Sequence, residues 1–379
     1  MKKFFKKCAA AVLTSAMCIS LMACGNGTSD SSADKNTQAA AETEADSSEV
    51  TTAAAATESD SQEATQADAA ATAKDAAPTE TKDITLVLDW TPNTNHTGFY
   101  VALEKGYYAD NGINLKIVQP PEDGATMMVA SGQAQFGIDF QDSLVPVYTS
   151  GDDYHITTVA TLIQHNTSGI ISLKEDGINS FKDLEGKNYA TWSLPIEQAM
   201  IQYCMEKDGG DFSKLNLIPE SVTDEAAALQ QDIDAIWIYY AWAGIATERA
   251  GLDTNTIFFK DITPEFDYYS PVITANTDFL AEDPETAKAF LEATKKGYED
   301  SIANPDEAAE ILCKNVPELD LDMVKESQNW LAGQYKADVE RWGYIDAARW
   351  DSFYKWLSDN NLSDPIPAGT GFTNDYLPE

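Results

Sequence analysis

Several stretches of the sequence bring aromatic faces together with amide, hydroxyl or carboxylate groups at spacings that could hold a small, flat, polar molecule. The first runs Asp89, Trp90, Thr91, Pro92, Asn93, Thr94, Asn95, His96, Thr97, Gly98. Asn95 or Thr97 can cap a following helix, because a side-chain oxygen there accepts from the helix's free N–H groups. Capping leaves Trp90 unexplained. An indole face beside Asn93, Asn95 and His96 suits a heterocycle that stacks on one face and hydrogen-bonds along its edge.

The second stretch is Thr191, Trp192, Ser193, Leu194, Pro195, Ile196, Glu197, a strand end followed by a helix with Pro195 near its first position. Glu197 can be a first-turn acid favoured by the helix dipole or an acceptor for a ligand. A capping box from Ser193 would place the acid at residue 196, so Glu197 is out of register for that job. The third, residues 235–244, holds Trp237, Tyr239, Tyr240 and Trp242. Alternation along a strand puts Trp237 and Tyr239 on one face, which serves a sheet core or a site wall. Tyr268 and Tyr269 could close over a ligand or pack structurally. Asp139, Phe140 and Gln141 end an apolar run and would reach the same cleft by the strand-end rule. Asn166, Thr167 and Ser168 fit equally well as hinge hydrogen-bonders and as ligand contacts.

The elements that must position these groups follow from periodicity. Short β-branched runs at 84–88, 113–118 and 135–138 alternate with amphipathic stretches at 100–108 and 127–131, a parallel α/β unit. The alternation returns with strands expected at 170–173, 215–218 and 235–239 and helices starting near Pro195, Asp224 and Ala241. From residue 284 the pattern is helical, through 284–301, 305–314, 320–335 and 345–360. The expected organisation is a first lobe at 83–166, a second at 167–268, and a return to the first with C-terminal helices at 269–379. Two chain crossings, near 163–169 and 268–274, would make a hinge with a ligand cleft between the lobes.

Ahead of this lies a different kind of sequence. Lys2, Lys3, Lys6 and Lys7 precede an apolar run at 9–23, the order of a secretory signal, and the run is too short to span a bilayer. It ends Leu21, Met22, Ala23, Cys24, a lipobox pattern, so residues 1–23 are expected to be removed and Cys24 lipidated at the outer face of the cell membrane. Residues 24–82 are rich in Ala, Thr, Ser, Asp and Glu and cannot bury a core. As a flexible tether they would span about 40 Å.

A net charge of −37 argues against nucleic acid or anionic lipid head groups as partners. His96, His155 and His165 do not pair at a metal spacing and the cysteines do not cluster, so no metal or cofactor is expected. Only Cys204 and Cys313 lie within the expected folded part, and two reduced thiols are the simpler expectation for a domain of this size.

The run from Asp89 to Gly98, the segment YVALEKGYYADNG at 100–112, residues 129–140, QHNTSG at 164–169 and residues 237–244 resemble the solute-binding lipoproteins that deliver thiamine pyrimidine precursors, a family related in fold to fungal thiamine-pyrimidine synthases. The resemblance covers residues 84–378. It implies a two-lobed type II periplasmic-binding fold, a monomer serving the permease and ATPase subunits of an ABC importer, and a ligand such as formylaminopyrimidine or hydroxymethylpyrimidine. Riboflavin or another small aromatic heterocycle is the alternative. The expected ligand contacts are Trp90, Asn93, Asn95, His96, Asp139, Gln141, Thr167, Ser168, Trp192, Glu197, Trp237, Tyr239 and Tyr268. Asp139 stands where the synthases carry an essential lysine, and residues 265–269 (EFDYY) where they carry cysteines, so a synthase-like enzyme is disfavoured and no catalytic residue is expected.

Overall fold

The computed structural model describes residues 81–122 and 124–379. The signal-like segment, Cys24 and the tether as far as residue 80 lie outside the described residues. Regular structure begins at Lys82, one residue before the expected boundary, because Lys82 already pairs with Ile113 in a ladder.

The described residues form two five-stranded sheets. The first contains β1 (Lys82–Val87), β2 (Ile113–Val118), β3 (Phe136–Asp139), β4 (Ile156–Thr161) and β10 (Val272–Asn276). Its order is β2-β1-β3-β10-β4; β1 is parallel to β2 and β3, whereas β10 runs antiparallel to β3 and β4. The second contains β5 (Ser168–Leu173), β6 (Asn188–Thr191), β7 (Asn216–Pro219), β8 (Ala235–Tyr239) and β9 (Thr254–Phe258), in the order β7-β6-β8-β5-β9. There β6 is parallel to β7 and β8, and β5 is antiparallel to β8 and β9. Each sheet is therefore mixed: the single antiparallel strand is the one beside a chain crossing, a feature the expectation of a purely parallel unit missed.

The chain leaves the first sheet after Thr161, enters the second at Ser168, and returns between Phe258 and Val272. The two crossings are tied together. His165 Nδ1 lies 2.6 Å from Asp267 Oδ2, and the Asn166 backbone N–H donates to Asp267 Oδ1 at 2.9 Å. The Asp267 carboxylate raises the His165 pKa.

Helices cover both sheets. The stretch expected as one helix at 100–108 is two, Thr97–Glu104 and Tyr107–Asp110, separated by Gly106 at φ 79°, a left-handed conformation that glycine adopts without penalty. The C-terminal helices Pro284–Ala303, Pro305–Asn315, Leu321–Ala332 and Ala347–Asp359 fall where periodicity put them. Their starts have chemical causes: Asp283, Asp320 and Asp346 accept from Thr286 N, Met323 N and Arg349 N, and Pro284 and Pro305 occupy first-turn positions. Helix Pro284–Ala303 lies so close to helix Thr97–Glu104 that a methyl group on Gly297 would sit 2.0 Å from Gly98 O. Phe290 from the same helix stacks on Phe136 of β3, with ring centroids 3.9 Å apart. Cys204 and Cys313 are free thiols, Cys204 fully buried. Among the described residues no helix is long and apolar enough to cross a membrane.

Candidate functional site

Four parallel-strand ends meet between the two sheets. Asp89, Trp90, Asn93 and Asn95 follow β1; Phe140, Asp142 and Ser143 follow β3; Trp192 and Leu194 follow β6; Trp237 and Tyr239 close β8 and Trp242 follows it. This is the place where open α/β sheets bind ligands. The residues line two adjoining cavities that share Trp192, Trp237 and Tyr239. The first, about 340 Å³, is completed by Asp89, Trp90, Asn93, Asn95, Phe140, Glu225, Ile238, Trp242 and Ala243. The second, about 460 Å³, adds Asp142, Ser143, Glu197 and apolar side chains from the helix starts, with Leu362 and Ser363 at its far side. Four carboxylates and not one lysine, arginine or histidine line the pair.

The loop after β1 is held rigidly from behind. His96 is completely buried; its Nε2 lies 2.6 Å from Asp89 Oδ1 and its Nδ1 accepts from Asn93 N at 3.2 Å. His96 therefore supports Asp89 and lines neither cavity, contrary to the expectation that it contacts a ligand. Asn93 caps the 3-10 turn Thr94–His96, its Oδ1 accepting from Asn95 N at 2.9 Å, and helix Thr97–Glu104 follows directly with His96 at its cap position and no side-chain cap, so neither Asn95 nor Thr97 caps it. The C-terminal helices lock the loop's backbone, with Tyr298 Oη donating to Asn95 O and Tyr335 Oη to Thr94 O. The Trp90 side chain remains 56% exposed, too open for a core residue.

The aromatic wall comes from both sheets. Trp192 and Trp237 lie 5.7 Å apart between centroids at 45°, and Phe140 stacks on Tyr239 across the cleft at 5.8 Å and 19°. Trp237 is nearly buried, yet its Nε1 has no hydrogen-bond partner. Ser193, between Trp192 and Leu194, takes φ 63°, a left-handed value uncommon for a non-glycine residue. Its N–H is fixed by Thr191 Oγ1 at 2.9 Å.

Glu197 lines the second cavity and also carries a structural duty. Its carboxylate accepts from Tyr189 Oη (2.7 Å), Thr191 Oγ1 (3.1 Å), Trp192 N (3.2 Å) and Leu194 N (3.2 Å). The helix is capped from Leu194, which puts Glu197 at the third helical position and in register to receive the cap residue's N–H. Its hydrogen-bonding capacity is spent on shaping the 191–194 turn that presents Trp192.

Other expected contacts belong to the scaffold. Asp139 is buried and held by Thr126 Oγ1 and Phe140 N, lining neither cavity; burial raises its carboxyl pKa. Gln141 joins the crossing to the C-terminal helices, accepting from Tyr269 N at 2.9 Å and donating to Trp350 O at 2.8 Å. Thr167 and Ser168 are buried in the first crossing, where Ser168 Oγ and Asn166 Oδ1 bond at 2.7 Å. Tyr268 is core, stacked on Phe353 at 4.2 Å. Five expected residues remain at the cleft wall with side chains free of these duties: Trp90, Asn95, Trp192, Trp237 and Tyr239, with Asn93 lining it as the cap.

Asp142 and Glu225 line the cavities without having been singled out in the sequence, and Asp89, Phe140 and Trp242, which lie in the stretches that were, line them without having been among the expected ligand contacts. Burial raises the Glu225 carboxyl pKa. Asp142 is the more perturbed: burial, with Asp139 adding repulsion, pushes its pKa from 3.8 up to about 6, against the pull of backbone N–H groups at Asp142 and Ser143. Its Oδ1 is shut off from water and has no partner.

A family model described as NMT1/THI5 like matches residues 93–308, more than half of the chain, from the capping asparagine of the cleft loop through the whole second sheet. The chain belongs to the NMT1/THI5-like family. Among its relatives, the formylaminopyrimidine-binding protein of Halalkalibacterium halodurans is 27% identical over 316 residues, covering 80% of this chain and 92% of that protein. The 4-amino-5-hydroxymethyl-2-methylpyrimidine phosphate synthase of Legionella pneumophila is 27% identical over 245 residues, covering 62% and 74%. The riboflavin-binding protein RibY of Chloroflexus aurantiacus is 26% identical over 326 residues, covering 81% and 89%. Among solved structures, the alkanesulfonate-binding protein SsuA of Xanthomonas axonopodis superposes with a TM-score of 0.60 at 11% identity, covering 78% of this chain and 99% of that one. The fold of this NMT1/THI5-like chain is that of the periplasmic binding proteins.

Proposed function

We propose that this protein is the extracytoplasmic, lipid-anchored substrate-binding component of an ABC importer, and that it captures a thiamine pyrimidine precursor, formylaminopyrimidine or hydroxymethylpyrimidine, without catalysing a reaction. The observation that carries the reading is the cleft itself: tryptophan and tyrosine faces, edged by carboxylates and amides, with no basic side chain on its walls. A 4-aminopyrimidine stacks on such faces, and its exocyclic amine donates to an oxygen acceptor. A phosphate or sulfonate would find no cationic partner there.

A binding role is supported by the relatives that carry binding-protein names over most of the chain. A synthase role is disfavoured by the chemistry of Asp139, an acid engaged by Thr126 and Phe140 where the synthases' lysine would stand. The extended double cavity favours one rival ligand, riboflavin, whose ring system and chain would occupy more of it.

Calorimetry on the purified full chain tests the assignment. The expected result is binding of one or both pyrimidines, weakened about fivefold to a hundredfold by Trp90→Ala through loss of a stacking face. If neither pyrimidine binds and riboflavin does, the pyrimidine assignment falls.

A further inference from the structure

Helix Leu321–Ala332 packs with the first sheet: Leu331 shares an apolar cluster with Leu86, Phe136 and Ile273, and Val324 shares another with Tyr100 and Leu312. Residues that follow the second sheet reach into both clusters. Directly after β8 the chain makes a π-helical turn, Tyr240–Gly244, a widened form found mostly at functional sites. From this turn Ala241 is buried in the first cluster, Trp242 packs against the second, and the Tyr240 ring meets Trp330 at 5.1 Å between centroids.

Ser327 stands in the middle of this contact, completely buried and lining neither cavity. Its hydroxyl donates to Ala241 O. That spends its one proton, so the Thr94 hydroxyl, 2.6 Å away, donates to Ser327 Oγ. Thr94 sits between Asn93 and Asn95, which line the first cavity from the loop after β1; Ala241 is followed by Trp242 and Ala243, which line it from the other sheet. One buried serine therefore ties the two walls of the cleft together. The same segment also flanks the first chain crossing: Gln334, just past the helix, accepts from Gln164 N at 3.1 Å, and Tyr240 N donates to Thr167 O at 3.1 Å.

We propose that Ser327 is a positioning residue for ligand binding: the relay Thr94–Ser327–Ala241 is a third connection between the sheets, beside the two chain crossings, and holds the cleft walls at their working separation. Without it the ligand must itself bring the walls into register, so affinity falls although no ligand contact is lost. The relay stands on the geometry alone, and only its effect on affinity rests on the binding reading.

Hydrogen exchange followed by mass spectrometry on the ligand-free full chain tests the relay with Thr94→Val and Ser327→Ala. Thr94→Val removes a hydroxyl from the first wall and leaves the Ser327 bond to Ala241 in place. Exchange is nevertheless expected to quicken by at least about fivefold in peptides covering 239–246, on the opposite wall, as well as in those covering 91–98. The double variant should exchange no faster than Ser327→Ala alone, because the two hydroxyls act as one unit. Calorimetry with formylaminopyrimidine, or with riboflavin where that does not bind, should show about threefold to tenfold weaker binding in each single variant and no further loss in the double variant. Exchange at 239–246 unchanged by Thr94→Val, or effects that add in the double variant, would overturn the relay whatever ligand binds. A lowered melting temperature with unchanged affinity would overturn the positioning role and leave Ser327 a core residue. Binding of neither probe would overturn the proposed ligands, and the exchange result then decides the relay by itself.

Discussion

The cleft carboxylate Asp142 makes a prediction that needs no ligand. In the folded protein its pKa rises from 3.8 to about 6, chiefly because burial disfavours the charged form. An acid with a raised folded-state pKa binds its proton more tightly folded than unfolded. Folding stability is therefore greatest, as far as this group is concerned, below the unfolded value of 3.8, and falls as pH rises toward and through about 6. Once the group is ionised in both states, the cost is about 3 kcal/mol, from about 1.4 kcal/mol for each pKa unit. At pH 5 about half of that cost has gone, because the folded carboxyl is mostly protonated there while the unfolded one is not.

Asp142→Asn keeps the shape and removes the charge. The amide still buries a polar group at about 1 kcal/mol. The net expectation for the ligand-free protein at pH 8 is a gain of about 2 kcal/mol, or a melting temperature roughly 4 °C higher for a protein of this size. The assay is denaturant unfolding of parent and variant at pH 8 and pH 5, with the difference between the two proteins taken at each pH so that other titrations cancel. The advantage should shrink by about 1.4 kcal/mol at pH 5. A variant no more stable than the parent at pH 8, or an advantage independent of pH, would refute the placement of an unpaired, desolvated carboxylate. The groups that sense the same charge are Asp139, Tyr239, Tyr268 and Tyr354, and all of them are retained in the comparison.

Glu197→Gln should destabilise the fold by about 2–4 kcal/mol, because an amide cannot accept from four donors around one buried carboxylate; thermal unfolding checks it. An unchanged melting temperature combined with a tenfold loss of pyrimidine affinity would return Glu197 to direct ligand contact. Cys24→Ala should shift the protein from the membrane to the soluble fraction, and unchanged membrane fractionation would remove the lipid-anchor proposal.

The two-layer pattern and most helices were legible because period and chain punctuation are local properties. Strand β8 at Ala235–Tyr239 coincides with its expected bounds, and the helix at Pro195 starts at the expected proline. Strands β4, β9 and β10 were not read. None of these stretches shows the clean alternation of a half-exposed strand: β4 is buried at all but one position, β9 is partly buried along most of its length, and β10 is buried at every position. At the site, the strand-end rule found the right loops but not the right atoms. Residues 139–142 show why: Asp139, Gln141 and Asp142 follow one strand within four positions, yet only Asp142 lines a cavity. The direction of each side chain is set after the strand ends, by Tyr269 and Trp350 gripping Gln141 and by Thr126 gripping Asp139. Those partners lie 13 to 209 residues away, beyond any local pattern.

The same distinction separates the acids around the cleft by role. Glu197 and Asp139 are carboxylates whose donors are supplied by the protein, so their charge is spent on geometry: one shapes the Trp192 turn, the other anchors the end of β3. Asp89 is braced by His96 and faces the first cavity as a positioned acceptor. Asp142 alone among these four keeps an oxygen without a partner while burial penalises its charge. A fold that has already neutralised three neighbouring acids through hydrogen bonds could have neutralised the fourth, and an asparagine would have spared it about 2 kcal/mol. The Asp142 charge is felt instead by Tyr239, Tyr268 and Tyr354, each of whose pKa it helps to raise.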